Sequence, residues 1–120
     1  MVVQNEDLVS RLEADLVGVE VLSTPRLVQL MESSAIKSIQ RFLAPDQISL
    51  GTQIKVKHLS PTPLGMRVTA HAILKEVEKN RLLFWVDAFD NKEKVAEGEH
   101  ERVVVSKERF LRKVEEKKAG

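Results

Sequence analysis

The chain has 120 residues, a formal net charge of +1, 42% apolar residues and no cysteine. That is enough chain for a single core, and too apolar a composition for a disordered segment. The near-neutral charge offers no electrostatic hold on nucleic acid or anionic lipid, and the missing cysteine removes thiol catalysis, disulfides and cysteine-based zinc sites.

The N-terminus, MVVQNEDLV, carries acidic residues where a signal peptide needs a basic region followed by an apolar run. No apolar stretch approaches membrane-spanning length. The expectation is a soluble, cytoplasmic protein of one domain, residues 1–120.

Residues 1–15 are weakly patterned and are expected as a short strand or a mobile arm. VGVEVLS, 17–23, alternates well enough to predict a strand. Thr24-Pro25 then starts a helix, with Thr24 as N-cap and Pro25 at the first helical position. The helix is predicted over 25–43, PRLVQLMESSAIKSIQRFL, and Ala44-Pro45-Asp46 ends it. At 3.6 residues per turn, Val28, Ala35, Ile36, Ile39 and Leu43 surround Glu32, while Arg26, Gln29, Ser33, Lys37 and Gln40 gather on the opposite side. A carboxylate inside an apolar face is costly unless it is paired, protonated or put to use.

From residue 50 the period changes to 2. LGTQIKVKHLS (50–60), MRVTAHAILKEVE (66–78), RLLFWVDAFD (81–90) and EKVAEGEHERVVVS (93–106) predict four strands. Lys79-Asn80 and Asn91-Lys92 are short enough for tight hairpins, so 66–106 reads as an antiparallel meander. Ser106 caps a short final helix over 106–118. Strand, long helix, four strands and a short helix predict an α+β chain of hotdog architecture, an antiparallel sheet wrapped around a central helix. Such a sheet has an edge that is commonly covered by dimerisation, so a homodimer or a dimer of dimers is expected.

His58 shares its strand parity with Ile54 and Val56, while Lys55 and Lys57 point the other way. It therefore faces the helix that carries Glu32. Taken singly, His58 reads as a core histidine with a satisfied hydrogen bond. Together with Glu32 it makes an acid–base pair near neutral pH, in which each offsets the other's desolvation. Thr24 reads as a helix cap, and equally as part of a helix N-terminus whose N–H groups and dipole suit a thioester carbonyl or oxyanion. His71 alternates with Arg67 and Thr69 and belongs on the exposed face. Glu97, Gly98, His100 and Arg102 crowd the last strand. Gly98 permits either a bulge or a close backbone approach, and His100 and Arg102 share parity with Ala96 and Val104. Trp85, Leu83 and Phe89 mark one sheet face as packing. There is no G-x-S-x-G elbow, Gly-rich phosphate loop, H-E-x-x-H or Asp-x4-His hydratase signature.

Thr24, then Glu32 eight residues on, LGTQIKVKH ending in His58, PTPLGMRV and EGEHERVVV closely resemble the fluoroacetyl-CoA thioesterase group of hotdog proteins, over residues 14–112. The resemblance implies a homodimeric acyl-CoA thioester hydrolase that binds CoA near the subunit interface and needs no metal or other cofactor. It implies Thr24, Glu32 and His58 as the catalytic triad, Gly51 as a glycine lining the acyl pocket, and Pro63 and Gly65 of the P-x-G turn as substrate-binding residues. The fluoroacetyl-specific enzyme has phenylalanines just before its threonine, whereas residues 1–23 here contain no aromatic. General thioesterase chemistry therefore carries over better than fluoroacetate selectivity. Sequence leaves Glu32 open as nucleophile or general base, and leaves two further readings: a non-catalytic acyl-CoA-binding module and a structural dimer with a buried Glu–His pair.

Overall fold

A computed structural model describes residues 1–120. Helix α1 spans Thr24–Ile39 and continues as one 3-10 turn, Gln40–Phe42. Four strands follow: β1 Gln47–His58, β2 Thr69–Glu78, β3 Arg81–Phe89 and β4 Lys94–Ser106; helix α2, Lys107–Ala119, ends the chain. The sheet is antiparallel in the order β1-β4-β3-β2, with β1 at one edge. No helix is long and apolar enough to cross a membrane.

The core follows from two periodicities. Leu27, Met31, Ala35 and Ile39, spaced by four, form the buried stripe of α1. Leu82, Phe84, Val86 and Ala88, spaced by two, form the inner face of β3. Each large side chain among them contributes about 1.5–3 kcal/mol by leaving water. Trp85, Leu83 and Phe89 share one face, as predicted, but it is the outer face and not the core, and His71 is exposed there beside Asp87, as predicted.

Four expectations are corrected. Residues 17–23 form no strand; only single bridges, Leu8 to Leu22 and Val21 to Pro63, tie this stretch down. Residues 1–15 are not a mobile arm. They form 3-10 turns at Asn5–Asp7, Val9–Arg11 and Ala14–Leu16, and bury Val3, Asp7 and Leu8. Arg26, assigned to the solvent side, donates from Nε to Asp7 Oδ1 at 2.7 Å, closing the arm over the start of α1. The N-cap is Ser23, whose hydroxyl accepts from the Arg26 N–H, so Thr24 is the first helical residue. Both Ser and Thr cap helices well, and here Ser23 carries the extended backbone that the capping position requires.

β1 lies unusually close to β4. A Cβ on Gly98 would collide with the Lys55 carbonyl oxygen and come within 2.8 Å of Val56 Cα, so glycine is required by the approach of the backbones. β1 also carries a bulge between Gly51 and Gln53. Thr52 is the inserted residue, and its hydroxyl hydrogen-bonds to the backbone carbonyl and the carboxylate of Glu101, at 3.2 and 2.6 Å. Strict alternation from His58 would turn Gly51 outward. The bulge restores it to the inner face, opposite Arg102.

Candidate active site

Two corners of the inner face hold the candidate side chains. The first is at the start of α1, where Thr24 Oγ1 lies 2.7 Å from His58 Nδ1. The cap assignment explains why. Ser23 takes over the capping role, so the Thr24 hydroxyl is free to meet the end of β1. Ile54, Val56 and His58 are half-buried while Lys55 and Lys57 are exposed, as the parity predicted. His58 Nε2 is buried and has no hydrogen-bond partner within the chain. Burial disfavours the charged imidazolium and pushes the His58 pKa below its ordinary value, partly offset by the Ser60 backbone.

The helix N-terminus offers less than an open one would. Pro25 has no N–H, the Arg26 N–H is taken by Ser23 Oγ, and the Leu27 N–H by the Ser23 carbonyl. What faces a ligand here is the Thr24 hydroxyl and its own N–H.

The second corner lies over the middle of the sheet. Glu32 is not enclosed in the apolar stripe, since its side chain is 37% exposed. The stripe runs through Leu27 and Met31, and Glu32 lies at its border. Its carboxylate is 3.8 Å from Arg102 Nη1. Arg102 and His100 are buried on the inner face of β4, Arg102 Nη1 lying 3.1 Å from His100 Nε2. Burial lowers the Arg102 pKa and Glu32 partly restores it. A Cβ at Gly51 would lie 3.2 Å from Arg102 Nη1, 3.3 Å from His100 Cε1 and 3.5 Å from Glu32 Oε2. Glycine therefore leaves open the point on which these three groups converge.

Of the predicted site residues, the fold joins Thr24 to His58 and Glu32 to Gly51. No hydrogen bond or ion pair joins the two corners. Eight residues of helix separate Thr24 from Glu32 by about 12 Å along the axis. Pro63 and Gly65 join neither corner. They line a shallow surface depression with Val2, Leu64, Met66, Arg67 and Asn91, and Gly65 is there for its positive φ of 89°. The sequence pointed to His100 and Arg102 through their parity with Ala96, but gave no sign of the Ser49 and Gln53 groups that hold them. No cluster of His, Cys, Asp or Glu side chains is arranged to hold a metal.

Known proteins are similar to this chain in sequence and in fold. The family model described as fluoroacetyl-CoA-specific thioesterase matches residues 3–108. The fluoroacetyl-CoA thioesterase of Streptantibioticus cattleyicolor is 41% identical over 98 residues, which is 82% of this chain and 70% of that protein. Among solved structures, a variant of the fluoroacetyl-CoA-specific thioesterase in complex with fluoroacetate and CoA superposes with a TM-score of 0.84 at 35% identity, covering 92% of this chain and 91% of that one. A hot-dog-like protein from Thermanaerovibrio acidaminovorans gives a TM-score of 0.89 at 31% identity, covering 98% of this chain and 85% of that one. The chain belongs to the fluoroacetyl-CoA-specific thioesterase family, and it is a hotdog acyl-CoA thioester hydrolase.

Proposed function

We propose that the protein hydrolyses short acyl-CoA thioesters as a homodimer, with each catalytic centre completed by both copies. The observation that carries this reading is the pair of unfinished corners. His58 has a buried ring nitrogen without a partner, and Glu32 has a carboxylate without a short hydrogen bond. A buried nitrogen left unpaired costs on the order of 1–3 kcal/mol, so a partner is expected.

The free edge of β1 supplies a route to one. The opposite edge of the sheet is partly covered, because Met1 and Val3 bond to Val68 and Met66 just ahead of β2. A second copy added antiparallel along β1, with its two-fold at Lys55 so that inward Ile54 pairs with inward Val56, keeps the same faces inward. It sets one copy's Thr24–His58 pair beside the other's Glu32 and Gly51. His58 Nε2–H then donates to the Glu32 carboxylate, while Nδ1 accepts from the Thr24 hydroxyl. This is the logic of a nucleophile, a base and an orienting carboxylate.

In the reaction, neutral His58 takes a proton from the Thr24 hydroxyl or from a water beside it as oxygen adds to the thioester carbon. The C–S bond breaks and the imidazolium returns the proton to the departing CoA thiolate. Where Thr24 is the nucleophile, His58 next deprotonates a water that attacks the acyl-threonine ester, and the C–O bond breaks to release the acid and restore the hydroxyl; where water attacks directly, the free acid and CoA form in the one step. Glu32 serves as the carboxylate that stabilises the imidazolium. Gly51 leaves room beside the acyl group; Pro63 and Gly65, in their separate surface depression, take no part in this step.

The test is a panel of acyl-CoAs with a chromogenic thiol reagent; the protein contributes no background, having no cysteine. Turnover of several short acyl-CoAs is expected, with fluoroacetyl favoured over acetyl by no more than roughly 10–200-fold, the range an apolar pocket gives for close analogues. A binding-only protein would show affinity and no thiol release. Light scattering that found only a 13.6 kDa monomer at micromolar concentration would remove the shared-centre reading.

A further inference from the structure

We infer that His100 is a positioning residue for Glu32, acting through Arg102; the inference rests on the thioesterase reading above. Arg102 is 5% exposed at its side chain and carries donors only. Its Nε donates to Ser49 Oγ at 3.0 Å, its Nη2 to the Ser49 carbonyl at 2.9 Å, and its Nη1 to His100 Nε2 at 3.1 Å.

The last contact fixes the histidine. A guanidinium cannot accept a hydrogen bond, so His100 Nε2 must present its lone pair. The ring proton is then on Nδ1, which lies 2.9 Å from the Gln53 carbonyl and donates to it. An imidazolium would set N–H against N–H. His100 is 1% exposed, and its ring stacks on Phe84 with centroids 6.2 Å apart and planes at 30°. It is therefore a neutral ring of one tautomer, locked in orientation by the sheet.

The guanidinium is thus held from both sides in its own plane, by Ser49 and by His100. Its remaining free edge is the one that Glu32 approaches, across the space Gly51 leaves open. His100 makes no hydrogen bond to Thr24, Glu32 or His58. It determines where Arg102 stands, and Arg102 determines where the carboxylate stands. Small misplacements of a catalytic group cost rate, roughly a hundredfold for 1 Å in unfavourable cases, without removing binding.

The test compares His100→Gln with His100→Leu in the dimer. Gln can still donate to the Gln53 carbonyl and accept from Arg102, whereas Leu can do neither. We expect His100→Leu to lose kcat by roughly tenfold or more with KM little changed, and His100→Gln to recover most of it. Wild-type kcat in folded His100→Leu would overturn the inference, and so would equal losses in the two variants. Should His100→Leu fail to fold, nitrogen NMR of the wild-type histidines decides: a neutral His100 ring protonated at Nδ1 supports the inference, and an imidazolium or an Nε2–H ring overturns it. A wild type that releases no thiol from any acyl-CoA would instead sink the thioesterase reading, a result distinct from either of these.

Discussion

Thr24 and His58 meet where a helix begins and a strand ends, while Glu32, His100 and Arg102 meet over the middle of the sheet. The first corner is spare. It consists of one 2.7 Å contact, a half-buried ring and an unpartnered nitrogen. The second is heavily braced, with four hydrogen bonds fixing His100 and Arg102 and a glycine keeping their meeting point open. The difference fits the two jobs proposed for them. A proton-transferring base must be free to change partners, while an orienting carboxylate must stay where it is. On that proposal neither corner is a complete centre, and the distance along α1 keeps them apart within one chain.

The strongest way to break this comparison is to remove one group from each corner. His58→Ala and Glu32→Gln should each lower kcat by roughly a hundredfold or more while the dimer stays folded. Mixing the two inactive proteins and letting subunits exchange then separates the possible geometries. If each centre draws on both copies, half of a statistical mixture is heterodimer with one intact centre in two, so about a quarter of wild-type activity returns. If each centre lies within one copy, nothing returns. Wild-type rates in both single variants would leave Glu32 and His58 as structural residues only.

Gly51→Ala probes the braced corner with less force. The new methyl would press on Arg102 and His100 at 3.2 and 3.3 Å while only touching Glu32 at 3.5 Å, and Arg102 cannot yield freely because Ser49 holds it. Overpacking of this kind costs about 1–3 kcal/mol. A thermal melt and a kcat measurement should both fall, whereas a lowered melt with unchanged kcat would show that the carboxylate does not depend on this junction.

Much of this was legible in residue pattern. The Ile54–Val56–His58 parity placed the imidazole inward, the turn dipeptide Lys79-Asn80 placed the β2–β3 hairpin, and the family resemblance named Thr24, Glu32, His58 and Gly51 as candidates for the site. What was not legible came from long-range contacts. Asp7 is buried by Arg26, nineteen residues away, and nothing in MVVQNEDLV announces that partner. The bulge at Thr52 depends on Glu101 across the sheet, so alternation alone misplaces Gly51. Glu32 read as enclosed because helical periodicity gives a side chain's direction and not the width of the apolar stripe. Ser23 and Thr24 are both good caps, and only the backbone decides between them.

That last distinction yields a smaller, sharper test. Ser23→Ala removes the cap and should cost about 1 kcal/mol of stability, with modest effect on rate. Thr24→Ala leaves the Ser23 cap in place, so its main cost should appear in kcat/KM, and Thr24→Ser should restore most of it. The reverse pattern, with Thr24→Ala destabilising and Ser23→Ala silent in the melt, would return the capping role to Thr24.

The smallest expected effect is the pH response of the spare corner. Half-burial lowers the His58 pKa from its ordinary value of 6.5, against a weaker opposing pull from the Ser60 backbone. Between the lowered value and 6.5 the unfolded chain therefore binds more protons than the folded one. Stability from this residue is full above pH 6.5 and is lost as pH falls through the lowered folded value. In the dimer the partner's Glu32 carboxylate would oppose this shift, so an acid limb of kcat/KM lying below pH 6.5 would show that burial outweighs the carboxylate. Melting His58→Gln beside the wild type from about pH 5 to 8 isolates the contribution, since histidine is the side chain that titrates in that range. The wild type should lose more stability than the variant on the acid side. A wild type that gained stability relative to His58→Gln as pH fell would mean that His58 is held charged in the folded protein, and a charged imidazole could not act as the base.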